Sequence, residues 1–160
     1  MKNLVILGAG TAGTMMANHL VKKLNKKEWQ ITLVDQFKSH YYQPGFLFIP
    51  FGTYQPEDVK RTIDEFLPKG IQLIREKIDR IDKDTDTVIL ENGRNVKYDI
   101  LIIATGCKIA PEEVPGMKGD TWQKNIFDFY TFEGSCALAK KLETWPGGKL
   151  VVHITERPIK

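Results

Sequence analysis

Cysteine is scarce in this sequence, with two residues among 160. Cys107 and Cys136 stand alone, and two isolated thiols form neither a disulfide framework nor a zinc-binding pattern. We therefore expect no disulfide-stabilised fold and no metal site. Isolated cysteines are more often small buried hydrophobic residues than redox groups, so a catalytic role for either one is the less favoured alternative.

Long apolar segments are also missing. No run approaches the ~20 residues of a membrane-spanning helix. The first apolar run, residues 4–7, is too short for the core of a signal peptide. We therefore expect a chain that is cytoplasmic or peripheral at a membrane.

Charge of one sign is not concentrated along the chain either. The 23 basic and 20 acidic residues give a formal net charge of +3, whereas proteins that bind nucleic acid usually carry a distinct basic face. The one local group of lysines, at positions 22, 23, 26 and 27, is typical of a solvated helix C-terminus. Nucleic acid is therefore not an expected partner.

The start of the chain has the pattern of a β-α-β unit. Residues 4–7 are continuously apolar, as in a strand that is buried on both faces of a parallel sheet. A glycine-rich turn follows, and apolar positions at a spacing of four then predict a helix over residues 14–25. Residues 31–35 predict a second buried strand.

The turn between the first strand and the helix has the pattern G-x-G-x-x-G. Gly8 permits a tight turn, Gly10 lets the backbone approach a pyrophosphate, and Gly13 lets the helix pack closely on the strand. The free N–H groups and the dipole of the helix N-terminus favour phosphate at this point. The cofactor-binding residues that we expect here are Gly8, Ala9, Gly10, Thr11, Ala12 and Gly13.

An acidic residue ends the second strand. Asp35 follows Gly13 by about the 20 residues that separate the glycine turn from a ribose-binding acid. Its carboxylate would accept hydrogen bonds from an adenosine ribose diol and would repel a 2′-phosphate, which disfavours an NADP-type ligand. We therefore predict that Asp35, with the adjacent Gln36, binds the cofactor; the alternative is an aspartate that only caps a turn.

The rest of the chain predicts further strands, two helices and an aromatic loop. Asn92-Gly93 predicts a type I′ hairpin turn between two strands. The predicted elements are an irregular aromatic stretch over 37–54, a helix over 56–67, strands over 71–74, 77–82, 87–91 and 98–104, a Pro/Gly-rich connection over 111–119, a helix over 132–142 and a strand over 149–154.

NAD and FAD both fit the β-α-β unit, and the later segments decide between them. The β-meander and the apolar strand that ends in A-T-G resemble the FAD domains of flavoproteins with two dinucleotide-binding domains. The resemblance implies an α/β fold: a Rossmann-like FAD-binding domain over residues 1–110, in which a β-meander crosses over a parallel sheet. It implies FAD as the cofactor and adds these cofactor-binding residues: Pro44, Lys77, Ile78, Ala104, Thr105 and Gly106.

Three features favour the sulfide:quinone oxidoreductases within that superfamily. Residues 39–50 contain no cysteine, so the C-x₄-C pair of the disulfide reductases is absent. Residues 155–158, T-E-R-P, contain no glycine, which disfavours a second dinucleotide site after the strand at 149–154. The segment H-Y-Y-Q-P-G at 40–45 resembles the flavin-side loop of the sulfide:quinone oxidoreductases. In this loop we expect His40 to make a hydrogen bond rather than to act as an acid or base.

The resemblance also implies substrates and further segments. Sulfide would be the reductant, a quinone the acceptor, and a redox cysteine would lie beyond Lys160; Tyr130 stands where some branches have another cysteine. Residues 111–160 would be a connection and the truncated start of a second, NAD(P)-like domain, so we expect an N-terminal part that is inactive alone. Peripheral membrane attachment would use C-terminal elements outside this sequence, and a homo-oligomer stays open.

Two other functions also remain open. One is a type II NADH:quinone oxidoreductase or another NAD(P)H-dependent flavoprotein reductase. The other is a non-catalytic module that binds a nucleotide through the Rossmann half alone.

Overall fold

The computed structural model describes residues 1–153. Its strands are β1 (Lys2–Leu7), β2 (Trp29–Val34), β3 (Ser39–Tyr41), β4 (Lys60–Thr62), β5 (Ile71–Ile74), β6 (Ile78–Asp82), β7 (Thr87–Leu90), β8 (Asn95–Lys97) and β9 (Ile100–Ile103). The α-helices are α1 (Thr11–Lys23) and α2 (Phe132–Glu143). Short 3₁₀ turns span Gln43–Phe48, Pro56–Val59, Ile63–Phe66 and Pro111–Glu113.

The central sheet has four parallel strands in the order β5-β2-β1-β9. Parallel neighbours need crossovers, and α1 supplies the one from β1 to β2. The antiparallel meander β6-β7-β8 lies in the chain between β5 and β9. The predicted α/β, Rossmann-like architecture with a meander crossover is therefore confirmed.

The two faces of the sheet bury different side chains because successive residues of a strand point to opposite faces. On one face Leu4 and Ile6 of β1 pack with Ala17 of α1. On the other face Val5 and Leu7 pack with residues of the meander such as Val88. Burial on both faces explains why the β1 sequence is apolar without alternation.

The chain between β2 and β5 differs from the predicted helix over 56–67. Two 3₁₀ turns flank the short strand β4, which pairs with β3 in an antiparallel ladder. The second 3₁₀ turn has its own N-cap residue, Thr62, whose backbone N–H donates to the Glu65 carboxylate at 3.0 Å in a capping box. The apolar spacing was correct for the burial of Val59 and Ile63 but not for Phe66, which is exposed, and strand pairing and this cap divide the segment.

The hairpin at Asn92-Gly93 forms where it was predicted, with a different turn type. Gly93 has φ +81°, whereas Asn92 has a negative φ. A type I′ turn needs positive φ at both central residues, so that prediction was wrong. Gly93 N–H donates to the Leu90 carbonyl at 2.9 Å, and Leu90 N–H donates to the Arg94 carbonyl at 3.0 Å. This pattern is a type I turn followed by a glycine bulge.

The C-terminal strand predicted over 149–154 does not form within residues 149–153, and Ile154 lies outside the described residues. Leu150, Val151 and Val152 are 58%, 72% and 68% exposed. A strand needs a neighbour for its backbone hydrogen bonds, and none of the described strands pairs with this segment. Helix α2 matches its prediction, and within residues 1–153 no helix is long and apolar enough to cross a membrane.

Candidate dinucleotide-binding site

The glycine turn after β1 is pressed between β9 and α1. Gly8 has φ +95°, and a Cβ added there would overlap the carbonyl oxygen of Ala104. A Cβ on Gly13 would overlap the carbonyl oxygen of Gly8. Glycine is therefore required at both positions by the protein itself, as the sequence pattern predicts.

Gly10 is different because no protein atom crowds it. A Cβ added at Gly10 would have no neighbour within 4 Å. The backbone N–H groups of residues 10–13 have no acceptor in the part of the chain that the structure describes. These are the unsatisfied donors at the start of α1, where the helix dipole is positive. Residues 10–12 are exposed and Gly13 is buried, so the exposed part of the turn has the features of an anion-binding surface.

Asp35 reaches this turn from the end of β2. Its Oδ2 accepts a 2.6 Å hydrogen bond from the Ala9 N–H, and its Oδ1 accepts one of 2.7 Å from the Phe37 N–H. The aspartate therefore does cap its own turn, as the alternative interpretation holds, but the same side chain also lies beside the glycine-rich motif. Each oxygen keeps a further lone pair for an outside donor.

His40 contacts the other polar backbone group of Ala9, its carbonyl. Its Nδ1 lies 3.2 Å from the Ala9 carbonyl oxygen, and its ring lies 4.5 Å, centroid to centroid, from the Phe66 ring. The expected hydrogen-bonding role of His40 is confirmed. That the bond is made to the glycine turn was missed, because β3, which carries His40, was not predicted.

A cleft of about 250 Å³ adjoins the start of α1. It is lined by Thr11, His40, Tyr41, Tyr42, Asp58, Val59, Arg61 and Phe66. Arg61 is held there by hydrogen bonds from its guanidinium to the carbonyls of Glu57 and Lys60, at 2.6 and 2.8 Å. The β3-β4 pair thus forms one wall of a cleft that begins at the start of α1, after the glycine turn.

The A-T-G segment lies at the same edge of the sheet. Ala104 follows β9, and its N–H donates to the Leu7 carbonyl at 2.7 Å, directly before the glycine turn. Gly106 has φ +74°. Since β1, β2 and β9 are parallel, their carboxyl ends gather residues 8–13, Asp35 and residues 104–106 into one cluster.

The other predicted cofactor-binding residues lie on several different segments of the chain. Lys77 and Ile78 follow β5, whose last residue, Ile74, accepts a 3.0 Å hydrogen bond from the Asp35 N–H. Lys77 forms a hydrogen-bonded ion pair with Glu91, and the hydrogen bond raises the pKa of the Lys77 ammonium. Gln36 is exposed beside Asp35.

Pro44 is the second residue of the 3₁₀ turn Gln43–Phe48, in which Gly45 and Phe46 are buried, and Phe46 packs towards α2 rather than towards the glycine turn. The Phe46 and Phe132 rings lie 5.9 Å apart.

The two cysteines occupy different surroundings. Cys107 is exposed just after the A-T-G segment. Cys136 is half-buried in α2 and packs against the cluster formed by Phe46, Ile49 and Val59. Burial raises the pKa of the Cys136 thiol, and the charge of Glu133 raises it further. Because the thiolate is the reactive form, this environment disfavours Cys136 as a redox group.

Comparison with known proteins places these features in a family. The family model described as pyridine nucleotide-disulphide oxidoreductase matches residues 2–152. A sulfide-quinone reductase of Aquifex aeolicus (strain VF5) is 32% identical over 143 residues, which cover 89% of this chain and 31% of the relative. A type II NADH:quinone oxidoreductase of Staphylococcus aureus (strain NCTC 8325 / PS 47) is 29% identical over 76% of this chain and 30% of the relative.

The solved structures agree. The X-ray structure of the sulfide:quinone oxidoreductase from Aquifex aeolicus superposes with a TM-score of 0.73 at 29% identity. The match covers 89% of this chain and 32% of that one. The chain thus spans about a third of the length of the curated relatives that it matches. By fold, by glycine turn and by a family match along nearly its whole length, the chain belongs to the pyridine nucleotide-disulphide oxidoreductase family.

Proposed function

We propose that this chain binds the ADP half of FAD at the glycine turn, as the first dinucleotide-binding unit of a flavin-dependent quinone reductase. The observation that carries the proposal is the row of acceptor-free N–H groups at residues 10–13, of which residues 10–12 are exposed, beside the Asp35 carboxylate. The family and its relatives support a redox enzyme. FAD as the dinucleotide, and sulfide and quinone as the substrates, are parts of what we propose.

The steric contrast among the three glycines supports a ligand at Gly10. Gly8 and Gly13 are required by contacts within the protein, but no such contact requires glycine at position 10. A phosphate that approaches the Gly10 backbone would explain the glycine, because a side chain at this position would occupy the space of the phosphate. Phosphates bound at this point would accept the free N–H groups of the first turn of α1.

The position of Asp35 supports an adenosine ribose next to those phosphates. The two backbone hydrogen bonds orient its carboxylate before a ligand arrives, so little side-chain freedom is lost on binding. The free lone pairs can accept the two ribose hydroxyls. The negative charge would repel a 2′-phosphate, which favours FAD or NAD over NADP at this site.

The choice of FAD over NAD follows the meander and the A-T-G segment, which resemble the FAD domains of the family. Bound FAD would supply the electron transfer, while the residues of this chain bind and orient it. Quinone appears in the names of both relatives, whereas the reductant is sulfide in one and NADH in the other. We propose sulfide, because residues 155–158 lack the glycines that a second dinucleotide would need.

Calorimetric titration of the chain with FAD and with ADP tests the proposal. We expect both ligands to bind the wild-type chain, and Gly10→Val to abolish binding of both without loss of folding, because the new side chain meets only open space. Gly119→Val is the matched control, since Gly119 is equally uncrowded but lies outside the turn. Equal affinity of wild type and Gly10→Val would remove the site.

A further inference from the structure

Both polar backbone groups of Ala9 are held by side chains. Asp35 accepts the Ala9 N–H at 2.6 Å, and His40 Nδ1 lies 3.2 Å from the Ala9 carbonyl oxygen. Ala9 itself is 1% exposed, so neither group has water as an easy substitute partner. The residue between the first two glycines is thus fixed from two sides, by the end of β2 and by β3.

The hydrogen bond between His40 and the Ala9 carbonyl determines the direction of the Gly10 N–H. Ala9 C=O and Gly10 N–H belong to one peptide unit, and in a trans peptide these two groups point in opposite directions. With the carbonyl turned to His40, the Gly10 N–H faces the other way, where the described residues offer it no acceptor. If this peptide flipped, a carbonyl oxygen would take the place of a donor at the phosphate site.

We propose that His40 is a positioning residue for the dinucleotide phosphates, acting through the Ala9–Gly10 peptide. The inference rests on the proposed function of the glycine turn. His40 donates its Nδ1 proton to the Ala9 carbonyl and so directs a partial negative charge away from the bound anion. The Gly10 N–H is thereby presented to the phosphate before binding, which lowers the cost of ordering the turn.

The surroundings of His40 suit this role. It lies on β3, opposite Arg61 of β4, so its backbone is fixed by a ladder that is separate from the main sheet. Its ring packs against Phe66, which restricts the side chain from one face. The residue is only half-exposed, so its hydrogen bond is partly shielded from competing water.

Substitutions that separate the two ring nitrogens test the inference. Asn places its side-chain amide nitrogen where Nδ1 stands, and Gln places it near the position of Nε2. We expect His40→Leu to weaken FAD and ADP binding about five- to tenfold, the scale of one hydrogen bond. His40→Asn should recover most of that loss, and His40→Gln should not. His19→Leu, on the exposed side of α1, is the control.

Two readouts separate positioning from simple stabilisation. The first is the melting temperature of each ligand-free variant, and the second is the amide NMR signal of Gly10, which should shift in His40→Leu and return in His40→Asn. Wild-type affinity in His40→Leu would overturn the inference while leaving the proposed function intact if Gly10→Val still abolishes binding. Rescue by Gln but not Asn would place the role at Nε2 and also overturn it. Failure of the wild-type chain to bind either ligand would instead remove the proposed function.

Discussion

The Asp35 carboxylate accepts a 2.6 Å hydrogen bond from the backbone N–H of Ala9, and this bond joins the acidic end of β2 to the glycine turn after β1. Its other oxygen accepts from the Phe37 N–H at 2.7 Å. One side chain therefore shapes the turn and stands where the proposed ribose would bind. The two roles have different consequences when the side chain is removed.

Asp35→Ala should weaken FAD binding by about 1.5–3 kcal/mol, because a charged acceptor for the ribose hydroxyls is lost. Asp99→Ala is the matched control, since Asp99 also accepts a 2.6 Å hydrogen bond from a backbone N–H, that of Asn3, near the start of β1. We expect both variants to lose stability in urea titrations and only Asp35→Ala to lose affinity in calorimetry. Equal FAD affinity in the two variants would reduce Asp35 to a turn residue.

Gly13→Ala should lower the free energy of unfolding by about 1–3 kcal/mol or more, the cost of overpacking, because the new methyl group would overlap the Gly8 carbonyl oxygen. Gly119→Ala should change it by less than about 0.5 kcal/mol, as expected for an uncrowded surface position. Urea denaturation measures both. A Gly13→Ala protein as stable as wild type would mean that α1 does not pack this closely on β1.

The features that local physics determines were predictable from the sequence. The β1 run, the glycine turn and Asp35 follow from burial on both faces of a parallel strand and from the spacing of the motif. Helix α2 also formed at its predicted start, where the Thr131 hydroxyl accepts a 3.0 Å hydrogen bond from the Gly134 N–H.

The features that were missed depend on partners distant in the sequence. Strands β3 and β4 have three residues each and exist because they pair with one another, so neither has a periodic signal of its own. The contact of His40 with Ala9 depends on that pairing. Residues 149–153 show the converse case, because an apolar run predicted a strand that has no neighbour among the described residues.

Cys136 should react with a thiol reagent such as DTNB about tenfold or more slowly than Cys107 at pH 8, since only the thiolate reacts and burial raises the pKa of the Cys136 thiol. Cys107→Ser and Cys136→Ser leave one thiol each for the comparison. The rate for Cys136 should still rise with pH above the ordinary pKa of a thiol, because burial raises the pKa of this thiol. Equal rates at pH 8 would restore Cys136 as a redox candidate.

In a protein of the relatives' full length that contains this chain, we expect sulfide to reduce the flavin faster than NADH does. Residues 155–158 offer no glycine, Glu156 would repel phosphates, and Pro158 lacks a backbone N–H. Stopped-flow absorbance of the flavin, with the two reductants at equal concentration, compares the rates. Faster reduction by NADH would favour the type II NADH:quinone oxidoreductase alternative.

Amide NMR tests residue by residue whether FAD binds through its ADP half at the glycine turn, in a titration of the ¹⁵N-labelled chain with FAD. We expect the largest shift changes on residues 10–13 and on Asp35 and its neighbours, and we expect ADP to reproduce them. Shift changes confined to other parts of the chain, or none at saturating FAD, would contradict it.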